Sequence, residues 1–390
     1  MTGVRHCGAN GLIYAALHSR ADVPNAMTAS ELGLTGGVDR VALKDEPQRD
    51  SGELSIRGLS LPNRVRFASV VVTYRCNGKC QMCNMWKFPT REDEEIGPEV
   101  YEKLPFVATV NITGGEPFLR EDLEEIVRVV KARSRRVVIS TNGYFTDRIV
   151  RLFEKHPDIG LRVSIEGLPK VNDELRGIPD GFDRGLRTLL ELAKRGVRDI
   201  GFGITVSDAN IHDLVPLYQL SRMMGLEFAT AAVHNSFYFR KFDNRIERQE
   251  EAAEEFATLI SLLLRSRKVK DWFRAYFNLG LVNYIQGKPR LLSCRMGQEA
   301  FFLDPHGRIL PCNVMEEPLG NLKEGSFEEL WTSPRAREVR QMCRQCTRNC
   351  WMMGSVAEEI KKHAFRVMLW VLRNKLRPAG KTAAATLGVG

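Results

Sequence analysis

The residues with the most chemistry to offer are nine cysteines, at positions 7, 76, 80, 83, 294, 312, 343, 346 and 350. Eight of them fall into two clusters about 210 residues apart, so two sites are implied. The first reads Cys76-Asn-Gly-Lys-Cys80-Gln-Met-Cys83 and follows the apolar run Val65 to Thr73. Three thiolates in eight residues can take three corners of a cubic iron–sulfur cluster, with Gly78 giving the tight turn. One iron then stays open, and an open metal position is where chemistry is done. Closed structural zinc prefers four ligands in C-x2-C pairs, which the x3-then-x2 spacing does not offer.

Downstream, Thr109 to Thr113 reads as a strand running into Gly114-Gly115-Glu116-Pro117. Paired glycines bare the backbone to a close ligand, and a carboxylate beside them can take up an ammonium; alone, the same four residues would be a turn. The second cluster opens with Cys294. Phe301-Phe302-Leu303, the turn Asp304-Pro305-His306-Gly307 and Arg308-Ile309-Leu310-Pro311-Cys312 then form a hairpin that brings Cys294 and Cys312 together. Cys343-Arg-Gln-Cys346, after a helical Phe327 to Trp331, adds a C-x2-C knuckle, and four thiolates complete a closed site. Structural zinc and an iron–sulfur cluster both suit that set. Cys350 is left over as an inert thiol, an alternative ligand or a hydrogen donor to a substrate radical. Cys7 has no partner within its segment.

The run C-x3-C-x-Φ-C at Cys76, Cys80 and Cys83, with Met82 in the Φ place, resembles the radical S-adenosylmethionine (AdoMet) superfamily. The resemblance implies a [4Fe–4S] cluster whose open iron is chelated by the amino and carboxylate groups of AdoMet. One electron from the cluster then cleaves the sulfonium, and a 5′-deoxyadenosyl radical abstracts hydrogen from the substrate. By the same resemblance, Gly114, Gly115, Glu116 and Pro117 form the motif that meets the methionine amino group. Asn142, closing a third strand, and Ser164 and Glu166, closing a fourth, fall where ribose and sulfonium contacts are made. Arg176 corresponds to an arginine that approaches the AdoMet carboxylate, and Val206, with Asn210, occupies the adenine-binding place. The pattern C-x12-G-x4-C followed by C-x2-C resembles the twitch domain, the one-cluster relative of the SPASM extension. It implies a second, auxiliary [4Fe–4S] cluster on Cys294, Cys312, Cys343 and Cys346.

These residues need a scaffold. Six short apolar runs, roughly 65–73, 107–113, 136–141, 160–166, 199–206 and 227–233, alternate with helical patterns such as Leu123, Ile126, Val127 and Val130. Strands alternating with such crossovers predict an α/β chain with a parallel sheet and ligands at the C-terminal strand ends. The resemblance sharpens this to a partial (β/α)6 TIM-like barrel over 62–240. A helical connector over 241–290 follows, including an amphipathic helix from Arg245 to Lys268. A cysteine-rich hairpin-plus-helix extension of twitch/SPASM type takes 291–355, and a basic amphipathic helix and tail take 356–390. Residues 1–61, rich in Ala, Gly, Asp and Ser, are expected to be poorly ordered.

Composition narrows the function classes. The 390 residues are 43% apolar and 27% charged, which excludes a coil-like disordered chain. No apolar run approaches the ~18 residues of a membrane span, and Gly11 to Leu17 is a poor export signal, so a cytoplasmic protein is expected. The net charge of +9 resides in the last 59 residues, where twelve bases face three acids. There, Ile360, Ala364, Val367, Met368, Val371 and Leu372 share a helical face among basic residues, suited either to peripheral membrane contact or to packing on the barrel. With no docking module evident ahead of the barrel, the expected reaction is oxidation or epimerisation of a small molecule or glycan, driven by a reductant such as flavodoxin or ferredoxin. A peptide-modifying SPASM maturase is the alternative. A zinc-stabilised nucleic-acid-binding protein would use the charge and the C-x2-C pairs, but it leaves the three-cysteine loop, the glycine-rich strand end and five further βα units unexplained, so no nucleic-acid partner is expected.

Overall fold

The computed structural model describes residues 65–375; the expectations for residues 1–61, for Cys7 and for the tail after 375 lie outside the described residues. Six strands, β1 (Phe67–Val71), β2 (Thr109–Thr113), β3 (Val137–Thr141), β4 (Gly160–Ser164), β5 (Ile200–Val206) and β6 (Glu227–Ala232), pair in chain order and all in parallel. Each lies within one of the six apolar runs. Their β-branched residues, such as Val70, Val110, Ile112, Ile139 and Val163, are fully buried, as a sheet covered by crossovers requires. The crossovers are helical: α1 (Pro98–Tyr101) before β2, α2 (Leu123–Ala132) and α3 (Thr146–Lys155) after β2 and β3, α4 (Pro169–Arg176) and α5 (Gly181–Lys194) after β4, and α6 (Leu214–Met223) after β5. In α2 the buried positions include Leu123, Ile126, Val127 and Val130, the stripe the sequence shows. The sheet ends at β6 on one side and does not close, which makes it a partial TIM-like barrel.

On the other side the hairpin joins the barrel. Strand β7 (Ala300–Leu303) pairs in parallel with β1, Phe67 opposite Ala300 and Val70 opposite Leu303, and β8 (Arg308–Leu310) and β9 (Gly320–Asn321) follow antiparallel. The cysteine-rich extension and the barrel therefore share one sheet. Asp304 holds the hairpin turn: it is fully buried and accepts from the backbone N–H of His306 and Arg308 and from the Arg308 guanidinium.

The connector is a helical pair, α7 (Gln249–Arg265) and α8 (Val269–Ile285). The helix starts at Gln249 rather than at the expected Arg245, and just ahead of it the N–H groups of Glu247 and Arg248 donate to the Asp208 carboxylate. A Cβ at position 280 in α8 would lie 2.0 Å from the Trp351 ring, so Gly280 is the socket into which Trp351 packs, and its indole N–H donates to the Phe277 carbonyl at 2.8 Å. This fixes the chain immediately after the last cysteine. Helices α9 (Phe327–Thr332) and α10 (Pro334–Arg344) precede the C-x2-C knuckle.

The basic C-terminal segment is two helices, α11 (Met353–Lys362) and α12 (Ala364–Lys375), broken at His363, rather than one. The break lets α12 turn Val367 and Val371 onto α7 and α8, with Trp370 edge-on to Tyr276 at 5.5 Å. Leu372, assigned from the sequence to the same face, is exposed.

Candidate active site

The three-cysteine loop leaves β1 and is tied down on both sides. Gln81 N–H donates to Leu175 O at 2.8 Å and Lys79 N–H to Arg176 O at 2.9 Å, joining it to the end of α4. On the opposite side, Asn84 donates from its backbone to Phe239 O and from its side chain to Arg240 O, and Asn244 donates to the carbonyl of Met82. Met82 packs its side chain on the main core. The Sγ atoms of Cys76 and Cys83 accept from the N–H groups of Gly78 and Met85 at 3.3 and 3.4 Å. Burial pushes the Cys76 thiol up to about 12 and Cys83 up to about 11, and raises Cys80 as well. The free thiols are thus protonated at neutral pH, and any metal they bind must displace those protons.

Against this loop lies the Gly-Gly-Glu-Pro turn. Gly115 N–H donates to Thr73 O and Glu116 N–H to Arg75 O, both at 2.8 Å, which extends the β1–β2 pairing into the two motifs. A Cβ at position 115 would sit 2.2 Å from Arg75 O, so only glycine permits this approach. Glu116 is fully buried; its carboxylate accepts from Phe118 N–H, from the Thr141 hydroxyl at 2.7 Å and from Asn142 N–H at 2.8 Å. Burial raises its pKa, opposed by those three donors. Pro117 starts the short turn that follows. Asn142 donates its side-chain amide to Asn77 Oδ1 at 2.7 Å, linking the end of β3 to the cysteine loop.

The fourth and fifth strand ends complete the rim. Ser164 closes β4 half-buried, and Val206 closes β5 fully buried. Glu166 is tied into the rim: one carboxylate oxygen takes Arg176 Nη1 at 3.0 Å and the other takes Thr205 N–H at 2.6 Å. Asn210 turns inward as well, donating to Glu166 O and Thr205 O. Arg176 lies within electrostatic reach of Cys80, Glu166, Cys76 and Glu116, and its Nε is buried without a partner among the described residues. A buried cation beside the three thiols, with a donor unspent, fits a site for an anionic group.

Two features at the mouth have no sequence motif to announce them. Tyr74, Phe88, Tyr238, Phe242, Arg240 and Arg308 line a cleft of about 310 Å³ between the cysteine loop, the chain after β6 and the β7–β8 hairpin. The Tyr238 hydroxyl donates to Gly114 O at 2.9 Å, which fastens this wall to the glycine turn. Arg240 holds φ at 48°, the left-handed region that disfavours a long side chain, and its guanidinium lies over the Phe88 ring at 4.9 Å. A second cleft of about 530 Å³ beside Tyr144 is lined by Arg148, Arg151, Arg184 and Arg187 together with Asp147 and Asp183, a net positive set.

In the extension, Cys312 feels Cys294 and Cys350; Cys343 feels Cys312, Cys294 and Cys346; Cys350 feels Cys346 and Cys294. These thiols are electrostatic neighbours, Cys350 included, but among the described residues no three His, Cys, Asp or Glu side chains stand close enough together to hold a metal ion, so a cluster on them needs the cysteine side chains to draw in. Asn313, next to Cys312, joins the extension to the chain just after β6: its side-chain amide meets His234 Nε2 at 3.0 Å.

The sequence profile of the radical SAM superfamily matches residues 70–220, and that of SPASM, an iron–sulfur cluster-binding domain, matches 294–351. The chain belongs to the radical SAM superfamily. It is an enzyme that uses AdoMet with a [4Fe–4S] cluster, and its SPASM domain carries auxiliary iron–sulfur. Fe-coproporphyrin III synthase of Methanosarcina barkeri is 31% identical over 158 residues, 38% of this chain but only 39% of that protein's length. The sporulation killing factor maturation protein SkfB of Bacillus subtilis is 23% identical over 78% of this chain and 72% of its own. Among solved structures, Streptococcus suis SuiB bound to the precursor peptide SuiA superposes with a TM-score of 0.54 at 17% identity, over 71% of this chain and 67% of that one, a likeness of fold. In this radical SAM enzyme the SPASM match reaches past Cys350, so all five thiols fall inside the cluster-binding domain.

Proposed function

We propose that this radical SAM enzyme modifies a peptide, admitting one side chain to the aromatic cleft at the barrel mouth. The observation that carries the reading is the shape of that cleft. At about 310 Å³ it stands at the lower limit for small-molecule sites, room for one side chain or ring, and its rim residues Phe88 and Phe242 are 50% and 70% exposed. A peptide can lodge a single residue there while the rest of its chain runs outside. SkfB, named for maturation, matches over 78% of this chain, and pre-heme d1 synthase of Dinoroseobacter shibae and AdoMet-dependent heme synthase of Methanosarcina barkeri each match over 70%, so the relatives include both classes and the choice rests on the cleft. The cleft favours a peptide over the small molecule or glycan that the sequence alone suggested.

The residues take consistent roles. Cys76, Cys80 and Cys83 hold the cluster that, with AdoMet, supplies one electron and a hydrogen-abstracting radical. Glu116, fixed by its three donors, and the backbone of Gly114 and Gly115 receive the methionine ammonium, and Arg176 places its spare N–H for the carboxylate. Asn142, Ser164 and Val206 line the remaining rim. Cys294, Cys312, Cys343, Cys346 and Cys350 supply the ligands of the auxiliary cluster, one thiol more than four corners need. The cleft beside Tyr144, with four arginines against two aspartates, suits an acidic one-electron donor such as flavodoxin or ferredoxin, because Tyr144 N–H donates to Asn142, which in turn contacts the cysteine loop. The test is anaerobic turnover of reconstituted enzyme with peptides encoded beside its gene, and separately with sugar nucleotides. A peptide mass shift dependent on AdoMet supports the reading; turnover of the sugar nucleotides alone overturns it.

A further inference from the structure

We propose that the outer face of α12 docks the enzyme on an anionic lipid surface. The helix has two apolar stripes. Val367 and Val371 are buried against α7 and α8, while Phe365, Leu369 and Leu372 are 79%, 40% and 47% exposed. Spaced i, i+4 and i+7, these three form one continuous ridge on the side away from the packed face. Packing on the connector thus accounts for one stripe and leaves the other uncovered.

Charge decides what covers it. From Ile360 to Gly390 the chain has seven basic residues and no acidic one. Arg366 and Arg373, both exposed and with no carboxylate partner among the described residues, are seven apart and run along one flank of the ridge. Lys361 and Lys362 add to the same end, though they pair with Glu358 and Glu299. A phenylalanine and two leucines bordered by arginines match the interfacial zone of a bilayer, where rings and alkyl chains enter the acyl boundary and guanidinium groups meet phosphates. Among the described residues no helix is long and apolar enough to cross a membrane, so the contact is one of lying on the surface. The proposal holds whatever the substrate, and its test does not involve turnover.

Full-length protein is sedimented with vesicles of phosphatidylcholine alone and of phosphatidylcholine with phosphatidylglycerol. The expected result is co-sedimentation with the anionic vesicles only, weakened by high salt. Phe365→Ser/Leu369→Ser/Leu372→Ser and, independently, Arg366→Glu/Arg373→Glu should each lower the partition coefficient by roughly tenfold or more. Both alter exposed positions, and the second keeps the test valid if the first folds poorly. Wild-type protein left in the supernatant with anionic vesicles, or equal sedimentation of wild type and the charge-reversed variant, overturns the proposal. So does a wild-type dimer that the triple variant converts to monomer without any vesicle binding, which would make the ridge an interface between copies.

Discussion

Arg176 and Glu166 meet at 3.0 Å in a buried ion pair that spans the end of β4 and the end of α4, beside the three-cysteine loop. The pair has one role in folding and another in chemistry: Glu166 neutralises and aims a guanidinium that also faces Cys76, Cys80 and Glu116. Breaking it should leave an uncompensated buried cation, at a cost of about 3 kcal/mol. Glu166→Ala is expected to lower the melting temperature of the protein and to weaken AdoMet binding at least tenfold in equilibrium dialysis. Arg176→Lys, which keeps the charge but loses the planar fork, should spare most of the stability and still weaken AdoMet binding.

The five thiols of the extension separate two roles that could not be told apart from spacing. If Cys350 is a ligand, Cys350→Ala lowers the iron content after anaerobic reconstitution and changes the auxiliary signal in electron paramagnetic resonance. Cys76→Ala should instead remove roughly four irons and abolish 5′-deoxyadenosine formation. Full iron content with an unchanged spectrum in Cys350→Ala would return it to the status of a bystander.

Arg240 predicts a trade of stability against activity. Its φ of 48° costs a side-chain residue about 1 kcal/mol that glycine does not lose. Arg240→Gly should therefore raise the melting temperature slightly while reducing peptide modification, and AdoMet cleavage should continue uncoupled from product. Loss of both stability and activity would mean that Arg240 serves only to hold its turn.

Acid sensitivity should trace in part to Glu227, at the start of β6, whose carboxylate pairs with Lys270 at 2.8 Å and with Arg274, both on α8. Burial alone would raise its pKa, but the two cations bring it down to about 2. A depressed carboxylate stabilises the fold above its unfolded value near 4.5 and loses that contribution as pH falls toward 2. With its side chain 28% exposed, the contribution is about 2 kcal/mol after allowing for solvent screening. Glu227→Gln should cost that much at pH 7 and almost nothing near pH 2, as read from urea titrations at the two pH values.

The arginine cleft predicts dependence on the electron donor. Arg184→Glu/Arg187→Glu should raise the concentration of flavodoxin needed for half-maximal AdoMet cleavage several-fold, more at low salt than at high salt. Cleavage driven by dithionite should be unaffected.

Much of this was written in the sequence. The six parallel strands follow from apolar runs whose period and length leave few alternatives, and the cysteine loop and glycine turn announce themselves by short-range spacing. Pairings across long separations were not legible: β7 adds to β1 over 230 residues of chain, and no local pattern encodes that register. Glu166 and Arg176 were each readable as site residues, but their mutual ion pair depends on how α4 folds back on β4. The aromatic cleft gathers Tyr74, Phe88, Tyr238 and Arg308 from three distant segments, each unremarkable alone. The apolar positions of α12 could be counted from sequence, but which stripe packs was set by the break at His363.

The most direct measurement of the central claim is the fate of a substrate hydrogen. Reconstituted enzyme, reductant and AdoMet are incubated with a precursor peptide encoded beside its gene, uniformly deuterated at carbon, and the 5′-deoxyadenosine is weighed by mass spectrometry. The account predicts deuterium in 5′-deoxyadenosine, with a matching mass change in the peptide and loss of both on Cys76→Ala. Unlabelled 5′-deoxyadenosine and an unchanged peptide, from enzyme that cleaves AdoMet normally, would contradict it.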